Sequence, residues 1–239
     1  MEYSKDPLTF EAQADKLLSR GLAADRGELI HRLKAVSYYR LSGYLHPFRQ
    51  AGSDQYREET HLKVVWDRYC FDRRLRVLIL DAIERIEVSA KTKLVYHFSH
   101  RHGTFGYLDD RNLPKLPIAE YLEWRVSLEE ETRRSKQPFK RHFFETYGDC
   151  HKELPLWMLA ELMSMGSLLT FYKGVNPDIK RTIAAEYGLA DELFMSWLRS
   201  LNAARNICAH HCRFWNCEFG YALLLPQKNK FPSGTENIN

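Results

Sequence analysis

Apolar positions recur along the chain at intervals of three and four residues, and no segment shows the two-residue alternation of a half-buried strand. The pattern predicts an all-α protein, a helical bundle with a small N-terminal helical unit. A first helix is expected from Thr9 to Gly21, where glycine suits a left-handed cap. A second begins at Asp25, whose spacing to Glu28 is that of a capping box, and it buries Leu29, Leu33 and Val36. Gly43, Pro47 and Gly52 read as breaks. A long helix follows from about His61 to about His100, with Leu75, Ile79, Ala82, Ile83, Ile86 and Leu94 on its apolar face, and Gly103 and Gly106 end it. After Pro114 and Pro117, helices are expected over 118–136, 139–147 and 156–165, and Asn176-Pro177 starts another. The last runs from Asp191 to His210 around Phe194, Trp197, Leu198, Leu201, Ala204 and Cys208. This divides the chain into an N-terminal unit (1–55), the main bundle (56–217) and a C-terminal tail (218–239).

The final helix carries the densest chemistry. Arg205, Asn206 and His210 fall within one short run, a cation, a carboxamide and an imidazole. Arginine holds phosphate through paired charge-assisted hydrogen bonds, and histidine gives and takes a proton near neutral pH. Asn202, Asn206 and His210 are spaced four apart and form one polar stripe, on which Asn206 can orient the imidazole. Arg205 lies five before His210, roughly 140° around the helix, so the two heads meet through the long arginine stem or at a helix end. Glu84 and Glu87 share a ridge of the long helix and are the candidate supports for Arg205. An alternative reading makes Arg205 and His210 structural, one paired to those glutamates and the other capping the helix.

Composition adds limits. The 239 residues are 44% hydrophobic, and the net charge of +4 is too mild to identify a nucleic-acid binder by itself. Clusters carry more information: Arg68, Arg73, Arg74, Arg76, Arg85, Lys91 and Lys93 on the long helix, and Arg133, Arg134, Lys136, Lys140 and Arg141 later, are candidate phosphate-facing patches or else solvated faces paired to glutamates. Tyr38-Tyr39-Arg40-Leu41-Ser42-Gly43-Tyr44 offers aromatic faces and a guanidinium of the kind that stacks on unpaired bases, which makes Arg40 and Tyr44, with Arg73, Arg74 and His211, the candidate RNA-binding set. Cys208, His210, His211, Cys212 and Cys217 lie close together, but no Cys-x-x-Cys pair occurs, so neither a metal nor any other cofactor is expected. Five cysteines without a framework, no apolar run of membrane-spanning length and no leader-like N-terminus lead to an expectation of cytoplasmic location.

The run Arg205-Asn206-Ile207-Cys208-Ala209-His210 resembles the Arg-Asn-x-x-x-His motif of HEPN ribonucleases. The Tyr38–Tyr44 block, Asp81–Glu87, Pro155–Leu162 with Gly166-Ser167-Leu168, and Ser196-Trp197-Leu198 are similar to blocks of the Abi-like (abortive infection) family, in the same order, over most of the chain. The resemblance implies a HEPN-like helical bundle acting in bacterial anti-phage defence. It also implies a metal-independent endoribonuclease toxin, with Arg205, His210 and Asn206 catalytic and with 2′,3′-cyclic phosphate and 5′-hydroxyl products. One chain supplies a single well-placed imidazole, so a homodimer with a composite site is expected. RNA is the expected partner, as substrate and as a regulatory non-coding strand; no DNA and no membrane partner is expected. The alternative is a non-catalytic RNA-binding protein in an RNA–protein defence or toxin–antitoxin complex.

Overall fold

The computed structural model describes residues 2, 6–218, 220 and 223–225. Among these the chain is all helical, with no strand and only two isolated bridges, Ala23 to His61 and Arg49 to Tyr56. The helices are α1 (Phe10–Ser19), α2 (Arg26–Val36), α3 (Tyr38–Leu45), α4 (Leu62–His102), α5 (Ile118–Arg134), α6 (Pro138–Tyr147), α7 (Leu156–Ala160), α8 (Met165–Gly174), α9 (Pro177–Ala185) and α10 (Asp191–Ala209). They belong to two compact units. One comprises the residues up to Leu78 together with Ile207–Cys217, and the other Ile79–Asn206 with the described residues from Glu218 onward.

Local chemistry sets the first helix ends. The Thr9 hydroxyl accepts from the Ala12 amide at 3.1 Å, and the Asp25 carboxylate accepts from the Glu28 amide at 2.8 Å. The second half of the expected capping box is not made, because the Glu28 carboxylate turns to Arg32, 3.1 Å away. Gly21 and Gly103 take positive φ at the ends of α1 and α4, as their positions predict. Gly43 does not break the chain: α3 runs through it, and the stop comes at the 3₁₀ turn His46–Phe48, where Pro47 sits. The segment expected as one helix over 156–165 is also different. A short α7 ends at Ala160, and Ser164, its hydroxyl accepting from the Ser167 amide at 3.1 Å, starts α8 afresh.

In the first unit, Ala14, Leu17, Leu29, Leu33, Leu41, Leu45, Tyr56 and Val65 form the core, with Phe48, Tyr69 and Trp215 packed against it. At its polar centre is Asp72, wholly buried. Its carboxylate accepts from the Tyr44 hydroxyl at 2.5 Å, from the Arg76 guanidinium, and from the backbone amides of Phe214 (3.1 Å) and Trp215 (2.6 Å). Arg76, 5% exposed, is thereby a structural ion pair and not part of a phosphate patch. In the second unit, α4, α5 and α8 meet through rings: Trp124 stacks on Phe171 at 5.3 Å and Phe98 meets Phe171 edge-on at 4.8 Å, while Tyr187 stacks on Phe194 at 4.7 Å. On α4, Ile83 and Leu94 are buried as expected, but Ala82 is exposed. The expected tail lies outside the described residues except for 218, 220 and 223–225. Within it the Leu224 carbonyl accepts from Trp197 Nε1 at 3.0 Å, and the Leu224 amide donates to Ser196 Oγ at 3.1 Å.

Removing the Asp72 charge leaves Arg76 buried and unpaired, so Asp72→Asn is expected to lower the urea-unfolding free energy by about 3–5 kcal/mol; an unchanged midpoint would deny the cluster its structural weight. Burial, ahead of the Asp72 carboxylate, pushes the Tyr44 hydroxyl up to about 12. A raised folded-state value means that the stabilisation is fully present below the unfolded value of about 10 and is lost as pH climbs through 12. Stability of the wild type should therefore fall over this window, and Tyr44→Phe should flatten part of that fall.

Candidate functional site

The α10 helix ends in a Schellman motif. The His211 amide donates to the Cys208 carbonyl at 3.1 Å and the Cys212 amide to the Ile207 carbonyl at 2.9 Å, with His211 in the left-handed region at φ 57°. His210 is thus the C-cap residue, with its side chain exposed, and His211, also exposed, fills the position where glycine is usual. Arg40 and Arg213 hold this end in place: Arg40 Nη1 donates to the His211 carbonyl at 2.5 Å, and Arg213 donates to the Gly43 carbonyl. Cys208, facing the core, has its thiol pushed up by burial.

One turn earlier, in the second unit, Arg205 and Asn206 are half-buried. Arg205 Nη1 approaches Asn206 Oδ1 at 3.5 Å, the outer limit of a hydrogen bond, so neither side chain is locked by the other. Asn202 and Asn206 line a cleft of about 500 Å³ between α5, α8 and α10, beside Arg199, Glu120 and Lys173. Lys173 Nζ contacts both Glu120 oxygens, at 2.8 and 2.6 Å. Arg199, Asn202 and Asn206 are spaced as one face of α10 and line the cleft together, whereas His210, the third member of the expected stripe, is not among its lining residues. Lys173, Glu120 and Arg199 are the members that sequence reasoning missed. Of these only Arg199 carried a signal, at the i−3 position from Asn202.

Several expectations need correction. Tyr44 is 1% exposed, its ring edge-on to Tyr69 at 5.4 Å, and it cannot stack on a base; it belongs to the Asp72 cluster. Arg40 is committed to a backbone carbonyl. Glu87 does not support Arg205 but pairs with Lys91 at 3.7 Å, while Lys91 also donates to the Met163 carbonyl. Glu84 is exposed and makes no bond to Arg205 among the described residues. The long-helix patch largely dissolves into pairs: Arg68 lies over Phe48 and Trp215, Arg85 pairs with Asp81, and Lys93 with Glu186. Arg73 and Arg74 stay exposed without a hydrogen bond or ion pair among the described residues. Later in the chain Arg134 pairs with Glu130 and Arg141 with Glu145. Cys70, Cys150, Cys208 and Cys212 form no disulfide, and among the described residues no three His, Cys, Asp or Glu side chains are grouped to hold a metal ion. No described helix is long and apolar enough to cross a membrane.

Residues 31–216 match the family described as Abi-like protein, from the middle of α2 to beyond the α10 terminus. The chain belongs to the Abi-like family. No curated protein and no solved structure matches it. The matched span takes in the whole of α10 and the Asp72 cluster, and it leaves α1 outside.

A left-handed histidine costs about 1–2 kcal/mol relative to glycine, partly offset by the greater unfolded-chain freedom of glycine. His211→Gly should therefore be neutral or stabilising by up to ~1 kcal/mol in urea titration, and His211→Val should destabilise. A loss of stability in His211→Gly would show instead that the imidazole makes a contact the fold relies on.

Proposed function

We propose that this Abi-like protein is a metal-independent endoribonuclease of abortive-infection defence, with Arg205, Asn206 and His210 as its catalytic residues. The observation that supports the reading most is the α10 stripe. Arg205 and Asn206 are only weakly engaged with each other beside an open polar cleft, and the helix ends on a histidine whose ring is exposed and whose backbone is fastened from behind. A purely structural arginine would be expected in a strong pair like that of Arg76; Arg205 has none among the described residues.

The chemistry follows from the residue types. A histidine base removes the ribose 2′-OH proton, the 2′-oxygen attacks phosphorus, and the P–O5′ bond breaks while an acid protonates the leaving 5′-oxygen. Arg205 neutralises the charge on the pentacoordinate phosphorus. Asn206, four residues from His210, fixes the ring orientation. Base and acid are two imidazoles, supplied by His210 of two chains in a symmetric dimer. The products are a 2′,3′-cyclic phosphate and a 5′-hydroxyl.

Incubation of purified protein with total RNA in EDTA should give cleavage by the wild type, and Arg205→Ala and His210→Ala should each lose it by at least about a hundredfold with helical content retained, in line with the usual contribution of a positioned acid–base group. Equal cleavage by all three proteins would refute the assignment. RNA bound but never cut by any of them would favour the non-catalytic RNA-binding alternative. After subunit exchange with excess His210→Ala protein, wild-type activity should fall below simple dilution, because a mixed dimer holds only one imidazole; activity that scales only with the amount of wild type, or a strictly monomeric active enzyme, would refute the dimer.

A further inference from the structure

The cleft between α5, α8 and α10 has a charge distribution that the catalytic reading does not use. Lys173 and Arg199 face it, and behind them the Lys180 ammonium donates to the Lys173 carbonyl at 2.5 Å. Burial, then the neighbouring Lys115, Lys173 and Arg199, hold Lys180 below the usual lysine range, opposed by Asp191. Of the charged side chains, Lys173, Arg199 and Glu120 line the cleft itself, and Lys115, Lys180 and Asp191 act electrostatically behind it. The Lys173–Glu120 pair at the cleft is about two-fifths exposed on both sides, which is the condition in which an ion pair is held weakly and can open to another anion. Arg199 is exposed and makes no hydrogen bond or ion pair among the described residues. The trough continues past Glu120 and Thr170 into a second recess of about 410 Å³ lined also by Glu123, Ser127, Ser164 and Ser167; there Ser164 Oγ accepts from the Ser167 amide and Ser167 Oγ donates to Glu131, while Ser127 is exposed, a hydroxyl of the kind that contacts sugar and phosphate.

We infer that this cleft is the track of a single-stranded RNA, with Lys173 and Arg199 each taking one backbone phosphate beside the strand segment that reaches Asn202 and Asn206. The inference rests on the ribonuclease reading for the identity of the polymer. A recess between helices takes a flexible strand, whereas a duplex offers a convex surface that is met by protruding elements. Opening of the Lys173–Glu120 pair frees the ammonium for phosphate, and the carboxylate then repels a misplaced backbone. Neither Lys173 nor Arg199 belongs to the proposed catalytic set, so both are substrate-positioning residues.

The test uses a short 2′-O-methyl RNA strand, which lacks the nucleophile and cannot be cut, titrated against the full chain by fluorescence anisotropy over a series of salt concentrations. Arg199→Gln and Lys173→Gln are each expected to weaken binding about tenfold at low salt and to reduce the salt slope by about 0.7, roughly 1.4 for the double variant, whatever the base sequence. Lys173→Arg should keep the wild-type slope. Because Arg199 is exposed and makes no ion pair among the described residues, its variant keeps the test valid should Lys173→Gln fail to fold. An unchanged slope in a folded Arg199→Gln protein, or no binding by the wild type, overturns the inference. Equal affinity for the same strand in duplex form, or competition by AMP at matching concentration, overturns the single-strand assignment. If the strand binds with the expected slopes while cleavable RNA is never cut, the track stands and the catalytic reading fails.

Discussion

A carboxylate with no access to water must find a donor for every lone pair it keeps, and Asp72 finds four, from three parts of the chain. The Tyr44 hydroxyl comes from α3, the Arg76 guanidinium from one turn further along α4, and the amides of Phe214 and Trp215 from the segment that follows α10. Had any of these been missing, the buried charge would cost several kcal/mol, so the cluster forms as a whole or not at all. Its consequence for function is indirect. The stretch from His211 to Trp215 can leave the α10 terminus in only one direction, because both its amides and its carbonyl at His211 are taken. The exposed His210 ring is presented from a fixed end, with Arg40 and Arg213 reinforcing the same turn.

This arrangement also explains why the Tyr38–Tyr44 block read differently in sequence. Aromatic and cationic residues beside a glycine look alike whether they meet a base or a backbone. What decides is a partner outside the block, Asp72 for Tyr44, 28 residues on, and His211 for Arg40, 171 residues on, and no local pattern carries that. Features fixed within a turn or two were legible: the caps at Thr9 and Asp25, the left-handed glycines at 21 and 103, the apolar face of α10 through Phe194, Leu198 and Cys208, and the polar stripe of Asn202 and Asn206. The division of 156–165 was missed because apolar residues continue across Met163 and Met165, and only the Ser164 hydroxyl marks the new start. Basic clusters on α4 failed for the opposite reason. Their members stand near one another in sequence, yet most are spent on a carboxylate, a ring or a carbonyl, and among the described residues Arg73 and Arg74 are left exposed without such a partner.

The candidate site is thus partly a local and partly a tertiary object. Arg205, Asn206 and His210 follow from one helix and its cap, whereas the cations that share the cleft with Asn206 come from α8 and from an earlier turn of α10. Membership of the Abi-like family agrees with a role in abortive infection and covers the whole of this helix. The proposed reaction asks little more of the protein than a clamped phosphorus, an oriented ring and a second copy of that ring.

The central claim is that RNA is cut by its own 2′-hydroxyl under the control of His210 and Arg205. The most direct measurement takes an RNA strand with one mapped cleavage position and replaces the single ribose on the 5′ side of that bond with 2′-deoxyribose, with EDTA present throughout. The bond is then expected to stay intact while binding is preserved, and the unmodified strand to yield a 2′,3′-cyclic phosphate and a 5′-hydroxyl. Cleavage of the deoxy-substituted bond, or a 5′-phosphate on the product of the unmodified strand, would contradict the claim.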